Sequence, residues 1–169
     1  MALSNKYGSM LLTTGNKSEI AVGYSTIYGD MCGGYNPIKD VYKTRLYSIC
    51  EWRNSCHEAW MKGPNGLVIP KSILEKSPTA ELRPNQTDQD SLPPYEVLDS
   101  ILESLIENDM SISEIVKQGH DYDIVKKIEK LVYQSEYKRF QSAPGVHLTK
   151  KSFQLSRRYP IVQNWRDKL

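Results

Sequence analysis

The sequence predicts an α/β fold in a single domain, and three observations lead to that prediction. The chain has 169 residues, which suffices for one domain with a hydrophobic core but not for two. Residues 10–12 form an apolar run that ends in the turn residues 13–16, and apolar residues then recur at helical spacing from Lys17. This pattern is typical of a strand, a tight loop and a helix. The last third of the chain, from Tyr95, is helical by its periodicity.

The strand-loop-helix unit is a candidate nucleotide site. In open α/β sheets, ligands bind where the carboxyl end of a strand meets the amino end of a helix. Loop hydroxyls and the unpaired N–H groups of the helix then point at the same place. Every βα unit has a turn of this kind, so the pattern alone leaves a purely structural junction open.

The composition is that of a soluble globular protein. Hydrophobic residues make up 39% and charged residues 25%, and no apolar run approaches the length of a membrane span. Residues 1–10 lack the succession of a secretory signal, so a cytoplasmic location is expected. The three cysteines are irregularly spaced and predict no disulfide framework. A metal site built from Cys50, Cys56 and His57 is disfavoured because the chain has no CxxC pair.

Charge is distributed unevenly along the chain. Residues 138–169 form a basic tail with eight Lys or Arg against one acid, which leaves a net charge of −5 for residues 1–137. Such a tail binds nucleic acid, meets the phosphates of a nucleotide, contacts an acidic partner or is simply solvated. The sequence leaves these alternatives open.

A glycine-dense loop follows the first helix, which is expected to run from about Ser18 to Tyr28. Gly29, Gly33 and Gly34 are expected to allow positive φ angles and close backbone approach. The pair Gly33-Gly34 is only a weak phosphate-loop signal, because no GxxxxGK[ST] motif surrounds it.

A lysine lies at an unfavourable place in the next helix. Asp40 is expected to open this helix, which continues from Val41 to about Arg53 and has Lys43 in its first turn. A cation there opposes the helix dipole. The charge of Lys43 is therefore compensated by a neighbouring group, or Lys43 holds an anionic ligand, or it is a solvated surface residue.

The segment 76–94 has four prolines among polar and charged residues and shows no periodicity. A stretch of this length without structure inside a compact domain is either functional or disordered. We predict a flexible active-site loop that orders over a ligand.

The helical part spans residues 95–136. Tyr95 begins an apolar stripe, Ser111 and Glu114 form a capping box for a short helix closed by Gly119, and Asp121 caps the next helix. Two short helices joined by a turn also describe a helix-turn-helix, so DNA binding is a rival prediction. Against it, the second helix alternates acids and bases instead of presenting a basic face.

Several long motifs resemble one family. The stretches LLTTGNKSEIAVGYSTIYGDMCGGYNPIKDVYKT and IPKSILEKSPTAELRPNQTDQDSLPPYEVLD, followed by EYKR and RRYPI, look like the synthetase domain of glutamine-dependent NAD synthetases. The resemblance extends from Ala2 to about Ile161. It implies an adenine-nucleotide hydrolase-like (Rossmann-like) fold with a parallel sheet, and a homodimer whose interface helps to build the site for deamido-NAD.

The resemblance also implies a reaction. In this family ATP adenylates the nicotinate carboxylate of deamido-NAD and releases pyrophosphate, and ammonia then displaces AMP to give NAD. Magnesium bridges the phosphates, and the ammonia comes from a glutaminase domain or from solution. The protein contributes mainly positioning and charge neutralisation.

Site residues follow from the resemblance position by position. Thr14, Lys43 and Thr79 would contact ATP. Glu19 would lie at deamido-NAD or bind its magnesium ion. Lys138 matches the family's lysine at deamido-NAD.

One departure from the family pattern limits these expectations. The family's phosphate-binding SGGxDS loop is absent from the 169 residues, together with the first strands of the domain. The chain therefore resembles the carboxyl-terminal portion of the synthetase domain. We expect a single partial domain over 1–169, with its nucleotide-site part in 1–54, that is predominantly α-helical with one or two remaining strands.

This departure leaves two readings of the function. The chain either supplies half of an adenylating active site and is inactive without a separate amino-terminal half, or it is a non-enzymatic remnant of a split gene. No nucleic-acid or membrane partner is expected. An exposed sheet edge is expected near Leu11 and Leu12, and self-association would cover it.

Overall fold

The computed structural model describes residues 1–79, 84 and 86–167, and in this part of the chain the regular structure is helical. Its α-helices are α1 (Ala2–Tyr7), α2 (Lys17–Val22), α3 (Lys43–Ser55), α4 (Lys71–Leu74), α5 (Tyr95–Leu102), α6 (Ile112–Lys117), α7 (Tyr122–Gln134) and α8 (Glu136–Gln141). A 3-10 turn spans Asp88–Asp90, and a π-helical turn, Glu103–Glu107, extends α5.

Three extended segments lie side by side where a parallel sheet was predicted. Leu12 forms a parallel bridge with Tyr35, and Asn36 forms another with Gly145. The bridges are isolated, so no β-strand forms among the described residues. The predominantly helical prediction is thus confirmed, whereas the predicted one or two strands are reduced to single bridges. A ladder needs successive residue pairs, and here each pair of neighbouring segments shares a single bridge.

The apolar core lies between α2, α5, α6 and α7. Helix α2 packs against both α5 and α7, and α6 packs against α7. The fully buried aliphatic side chains at its centre come mainly from α5, its π-helical extension and α7: Leu98, Ile101, Leu102, Ile106, Val125 and Ile128. This packing holds α2, and with it the predicted nucleotide loop, against the carboxyl-terminal helices.

The predicted helix starts have mixed outcomes. The Ser111 capping box and the Asp121 cap are both present. The helix that was expected from about Ser18 to Tyr28 is α2, and it ends at Val22 because Gly23 adopts a left-handed conformation with φ of 70°. The helix that was expected to open at Asp40 is α3. It starts at Lys43, and its N-cap is Tyr42.

The expectation of positive φ in the glycine loop is wrong. None of Gly29, Gly33 and Gly34 has a positive φ. Gly33 is needed for the other predicted reason, close backbone approach. A Cβ added there would lie 2.5 Å from Thr13 Cγ2 and 2.9 Å from the carbonyl oxygen of Leu11.

The basic tail is partly folded into the protein. Lys138 and Arg139 belong to α8, and the side chain of Arg139 is almost fully buried, as is that of Arg157. By contrast, Leu11 and Leu12 are exposed, as expected for the side of the bridged segments that has no partner among the described residues. In the described part of the chain, no helix is long and apolar enough to cross a membrane.

Candidate functional site

The start of α2 is fixed by reciprocal hydrogen bonds. The Asn16 side chain accepts a hydrogen bond from the backbone N–H of Glu19, and Glu19 Oε2 accepts one from the backbone N–H of Asn16, both at 3.0 Å. This capping box satisfies two amide groups that the first helical turn would leave unpaired. It also holds the Glu19 carboxylate at the amino end of α2.

Glu19 and Lys43 form an ion pair across two helices. Lys43 Nζ lies 3.1 Å from Glu19 Oε1, and the side chains keep 17% and 19% of their exposure. The backbone N–H of Lys43 donates to Ser18 Oγ at 2.9 Å. Of the three readings for Lys43, compensation by a neighbouring acid is the one present here.

Asp99 of α5 joins the first turns of α2 and α3. Its carboxylate accepts hydrogen bonds from Ser18 Oγ and from the backbone N–H and the hydroxyl of Thr44. Burial raises the pKa of the Asp99 carboxyl, and the hydrogen bonds from Ser18 and Thr44 offset part of that rise. The buried carboxylate therefore keeps the two helix starts side by side.

Tyr95 extends the cluster toward the segment 76–94. Its ring lies beneath Lys43, with Nζ 5.4 Å from the ring centroid, and its hydroxyl donates to Asp88 Oδ2 at 2.6 Å. Burial, and then the hydrogen bond to Asp88, raise the pKa of the Tyr95 hydroxyl. The hydroxyl therefore stays protonated and acts as a donor.

A cavity of about 310 Å³ lies beside this cluster. Lys43 and Thr79 both line it, together with Lys76 and Pro78. Its remaining walls are the side chains of Leu46, Tyr47, Cys50, Ile69, Ile73 and Leu74. Apolar walls with a few polar groups at one end are typical of small-molecule sites.

The predicted site residues fall into three places. Lys43, Glu19 and Thr79 lie around the cavity and its neighbouring ion pair. Thr14 is exposed in the loop before α2. Lys138 is at the other end of α2, where its ammonium group donates to the carbonyl oxygens of Gly23 at 2.6 Å and Ser25 at 2.7 Å. Residues 80–83 of the predicted active-site loop are outside the described residues.

The donor set for magnesium is small. Among the described residues, no group of three or more His, Cys, Asp or Glu side chains is arranged to hold a metal ion. Both oxygens of Glu19 already have partners, namely the Asn16 N–H and Lys43 Nζ. Magnesium is commonly held by one or two carboxylates together with substrate phosphates. Glu19 could be one such carboxylate ligand only if Lys43 were bonded to another group, because Lys43 now occupies Oε1.

Sequence reasoning did not single out Asp88, Tyr95 or Asp99. Asp99 and Tyr95 fall in a helix whose apolar stripe was the evident signal, and Asp88 is one of several acids in an aperiodic segment. A single sequence carries no mark that distinguishes a buried carboxylate from a solvated one. Their partners are supplied by other elements of the fold.

Comparison with known proteins places the chain in a family. The family model described as NAD synthase matches residues 1–142. The chain belongs to the NAD synthase family.

The chain is 65% identical over 167 residues to the glutamine-dependent NAD(+) synthetase of Rhodobacter capsulatus, covering 99% of this chain and 30% of that protein. Identity is 51% over 165 residues to the synthetase of Xanthomonas campestris, covering 98% of this chain and 29% of that protein. The resemblance read from the sequence motifs is thus confirmed.

Solved NAD synthetases share the fold. The crystal structure of a glutamine-dependent NAD(+) synthetase from Cytophaga hutchinsonii superposes with a TM-score of 0.70 at 24% identity, covering 96% of this chain and 26% of that one. This likeness concerns the fold alone. The chain spans about 30% of the length of the curated NAD synthetases that it matches.

Proposed function

We propose that this chain supplies part of the active site of an NAD synthetase, which amidates deamido-NAD to NAD through an adenylate at the expense of ATP. The observation that carries the proposal is the Glu19–Lys43 ion pair beside a cavity that Thr79 also lines. Membership of the NAD synthase family supports the reaction type.

Lys43 is suited to hold ATP phosphates because its present partner is easily exchanged. A partly exposed ion pair contributes only about 0–1 kcal/mol. Phosphate oxygens carry more negative charge than one carboxylate, so they replace Glu19 as the partner of Lys43 at little cost. Thr14 and Thr79 then contribute hydroxyl hydrogen bonds to the nucleotide.

Glu19 is proposed to act once Lys43 turns to the phosphates. Its Oε1 becomes available to deamido-NAD or to a magnesium ion that arrives with ATP, while Oε2 stays bonded to the Asn16 N–H. Magnesium would neutralise phosphate charge during transfer. The capping box keeps the carboxylate in place throughout, because its bonds involve backbone groups.

Lys138 is proposed to contact deamido-NAD with its remaining donor. A lysine ammonium has three N–H groups. Two of them point at the carbonyls of Gly23 and Ser25, which fixes the position of the ammonium group.

In the proposed reaction the nicotinate carboxylate attacks the α-phosphorus of ATP with loss of pyrophosphate. Ammonia, free or derived from glutamine, then attacks the acyl carbon, AMP leaves, and the extra proton goes to solvent.

These 169 residues are proposed to act together with a segment that carries the family's SGGxDS loop, whether that segment is in the same polypeptide or in another one. They contain no SGGxDS loop, and each missing backbone donor to a developing charge costs roughly 3 kcal/mol in transition-state stabilisation. A chain that carries this loop would complete the site. A homodimer is proposed as well, with the exposed edge at Leu11 and Leu12 as one surface available for association.

The test is an NAD-formation assay with ATP, deamido-NAD, magnesium and ammonia. We expect no turnover by the chain alone and turnover when a chain carrying the SGGxDS loop is added. In the mixture, Lys43→Ala should lower kcat/KM for ATP by roughly tenfold or more, as expected for loss of a charged hydrogen bond. Lys71→Ala is the matched control, since Lys71 pairs only with Glu75 in a highly exposed position.

Other outcomes separate the alternatives. An ordinary enzymatic rate from these 169 residues alone would show that the SGGxDS loop is unnecessary. A mixture that stays silent would favour a non-enzymatic remnant. Salt-sensitive, sequence-selective retention on DNA would favour a helix-turn-helix function.

A further inference from the structure

We propose that Tyr95 and Asp88 are a positioning pair that holds Pro78 and Thr79 beside Lys43. The proposal rests on the proposed function in one respect, namely that Lys43 and Thr79 contact the same nucleotide. No role was assigned to Tyr95 or Asp88 by the sequence motifs or by the comparisons.

Asp88 connects two parts of the segment 76–94. Its backbone N–H donates to the carbonyl oxygen of Pro78 at 3.0 Å, and its carboxylate accepts from the Tyr95 hydroxyl at 2.6 Å. Thr79 directly follows Pro78 in the chain. One residue thus joins the backbone next to Thr79 to the first turn of α5.

The backbone of Asp88 is itself held by local hydrogen bonds. It begins a 3-10 turn that is closed by reciprocal bonds between Thr87 and Asp90, with Thr87 N–H to Asp90 Oδ2 at 3.0 Å and Thr87 Oγ1 to Asp90 Oδ1 at 2.9 Å. Lys127 of α7 donates to the carbonyl oxygen of Ser91 at 2.6 Å and anchors the end of the turn. The turn that contains Asp88 is thus attached to α7.

Burial of Asp88 is costly, which argues that its position has a use. The residue is 4% exposed, and Oδ1 has no hydrogen-bond partner among the described residues. An incompletely bonded buried carboxylate costs folding free energy. Buried polar groups of this kind call for an explanation, and placement of a functional segment is a sufficient one.

Tyr95 carries the link to Lys43. Its ring is buried and lies 5.4 Å from Lys43 Nζ, within the range of a cation–π contact. The same residue therefore supports the lysine with its ring and Asp88 with its hydroxyl. Glu19, Lys43, Tyr95, Asp88 and Pro78 form one continuous line of contacts.

This line sets the separation between two groups that come from distant parts of the chain. Lys43 starts α3, whereas Thr79 lies outside the helices, five residues after the end of α4. Both line the same cavity. Removal of the Tyr95 hydroxyl should leave Lys43 in place and release the segment that carries Thr79.

The first test measures amide hydrogen exchange in the 169-residue chain. Tyr95→Phe should accelerate exchange of the Asp88 N–H by roughly tenfold, because a hydrogen bond to a charged group is lost. Amides of Val125 and Ile128 in α7 should be unchanged, which separates local release from general destabilisation. Tyr122→Phe removes the same atom from an exposed ring and is the matched control.

Two Asp88 variants test the hydrogen bond itself. Asp88→Asn keeps a side-chain oxygen that accepts from Tyr95 but loses the charge, so exchange of the residue 88 amide should be accelerated less than in Tyr95→Phe. Asp88→Ala removes the acceptor and should behave like Tyr95→Phe. Equal rates in Tyr95→Phe and the wild type would overturn the proposal.

The second test is an equilibrium titration with ATP of this chain mixed with a chain that carries the SGGxDS loop. Tyr95→Phe and Lys43→Ala should each raise the Kd for ATP. Because the two contacts are coupled, the Kd of the double variant should rise by less than the product of the two single increases. A purely additive result would overturn the positioning role. If Lys43→Ala leaves ATP binding unchanged, the proposed function fails, whereas the exchange test still decides whether the pair holds Thr79.

Discussion

Lys17 Nζ and Asp40 Oδ1 lie 2.8 Å apart inside the protein, with 0% and 2% of their side chains exposed. Glu107 supplies a second buried carboxylate to the same ammonium group, and Thr149 Oγ1 accepts from it. The Asp40 carboxylate in turn accepts from the backbone N–H groups of Leu148 and Thr149. One buried lysine thus joins the start of α2 to the carboxyl-terminal segment.

Replacement of Lys17 should strongly destabilise the fold. Lys17→Met leaves Asp40 and Glu107 buried without their cation, and loss of one partner of a buried ion pair typically costs about 3–5 kcal/mol. The free energy of unfolding, measured by urea titration, should fall by this amount. Lys71→Met removes an exposed lysine and should change it by less than about 0.5 kcal/mol. Equal midpoints for Lys17→Met and the wild type would refute the interpretation.

Gly33 and Gly34 should differ although they are neighbours. A Cβ at Gly33 would lie 2.5 Å from Thr13 Cγ2, whereas one at Gly34 would lie 3.5 Å from Met10 Cγ. Gly33→Ala should therefore lower the free energy of unfolding by roughly 1–3 kcal/mol through overpacking. Gly34→Ala should be neutral or slightly stabilising, because it restricts the unfolded chain. Thermal unfolding of both variants checks this order, and a more stable Gly33→Ala would contradict it.

Lys39 should give the protein a distinctive alkaline pH dependence. Its ammonium group donates to Ser142, Ala143 and Gln154, without a carboxylate partner among the described residues, and burial lowers the pKa to about 8 from 10.5. Between pH 8 and 10 the unfolded chain therefore binds more protons at this lysine than the folded chain does. The contribution of Lys39 to stability should rise with pH across that window.

The test compares the wild type with Lys39→Met across this pH range. Other groups, such as the cysteine thiols, are common to both proteins and cancel in the difference between their unfolding free energies. That difference should increase toward pH 10 in favour of the wild type. A constant or decreasing difference would be evidence against the lowered pKa.

Arg139 should not tolerate a lysine. Its guanidinium donates to the carbonyl oxygens of Ile20 and Ala21 and, through two nitrogens, to Glu136 Oε2. A lysine lacks the planar fork that makes these bonds simultaneously. Arg139→Lys should lower the free energy of unfolding by about 2–4 kcal/mol, since two or more buried acceptors lose a donor.

The exposed Arg158 offers the control for this substitution. Its guanidinium lies 4.6 Å from the Phe140 ring centroid at the surface. Arg158→Lys should change stability by less than about 0.5 kcal/mol in the same chemical denaturation series. Indistinguishable effects of the two substitutions would show that the buried fork is dispensable.

Some features that depend on neighbouring residues were predicted correctly, although the expected helix start at Asp40 was wrong. Ser111 and Asp121 begin helices as expected, because a cap involves residues only three positions apart. The family resemblance was also readable, since it depends on the order of motifs along the chain. The strand expected at residues 10–12 was not formed, because strand pairing needs partners, and Leu12 has one bridge to Tyr35.

The motifs and local patterns of the sequence were sufficient to recognise the family and the starts of α6 and α7, and they named candidate nucleotide-binding residues that stay predictions. Which charged residues are buried, and which residues they contact, depends on the tertiary structure. Lys17, Lys39 and Arg139 look like surface cations in the sequence, yet each is almost completely buried. The partners of Lys17 include a carboxylate 90 positions away and a carbonyl 134 positions away. Burial of a charge is favourable only when such partners converge, and their convergence is a property of the packed helices, not of local sequence.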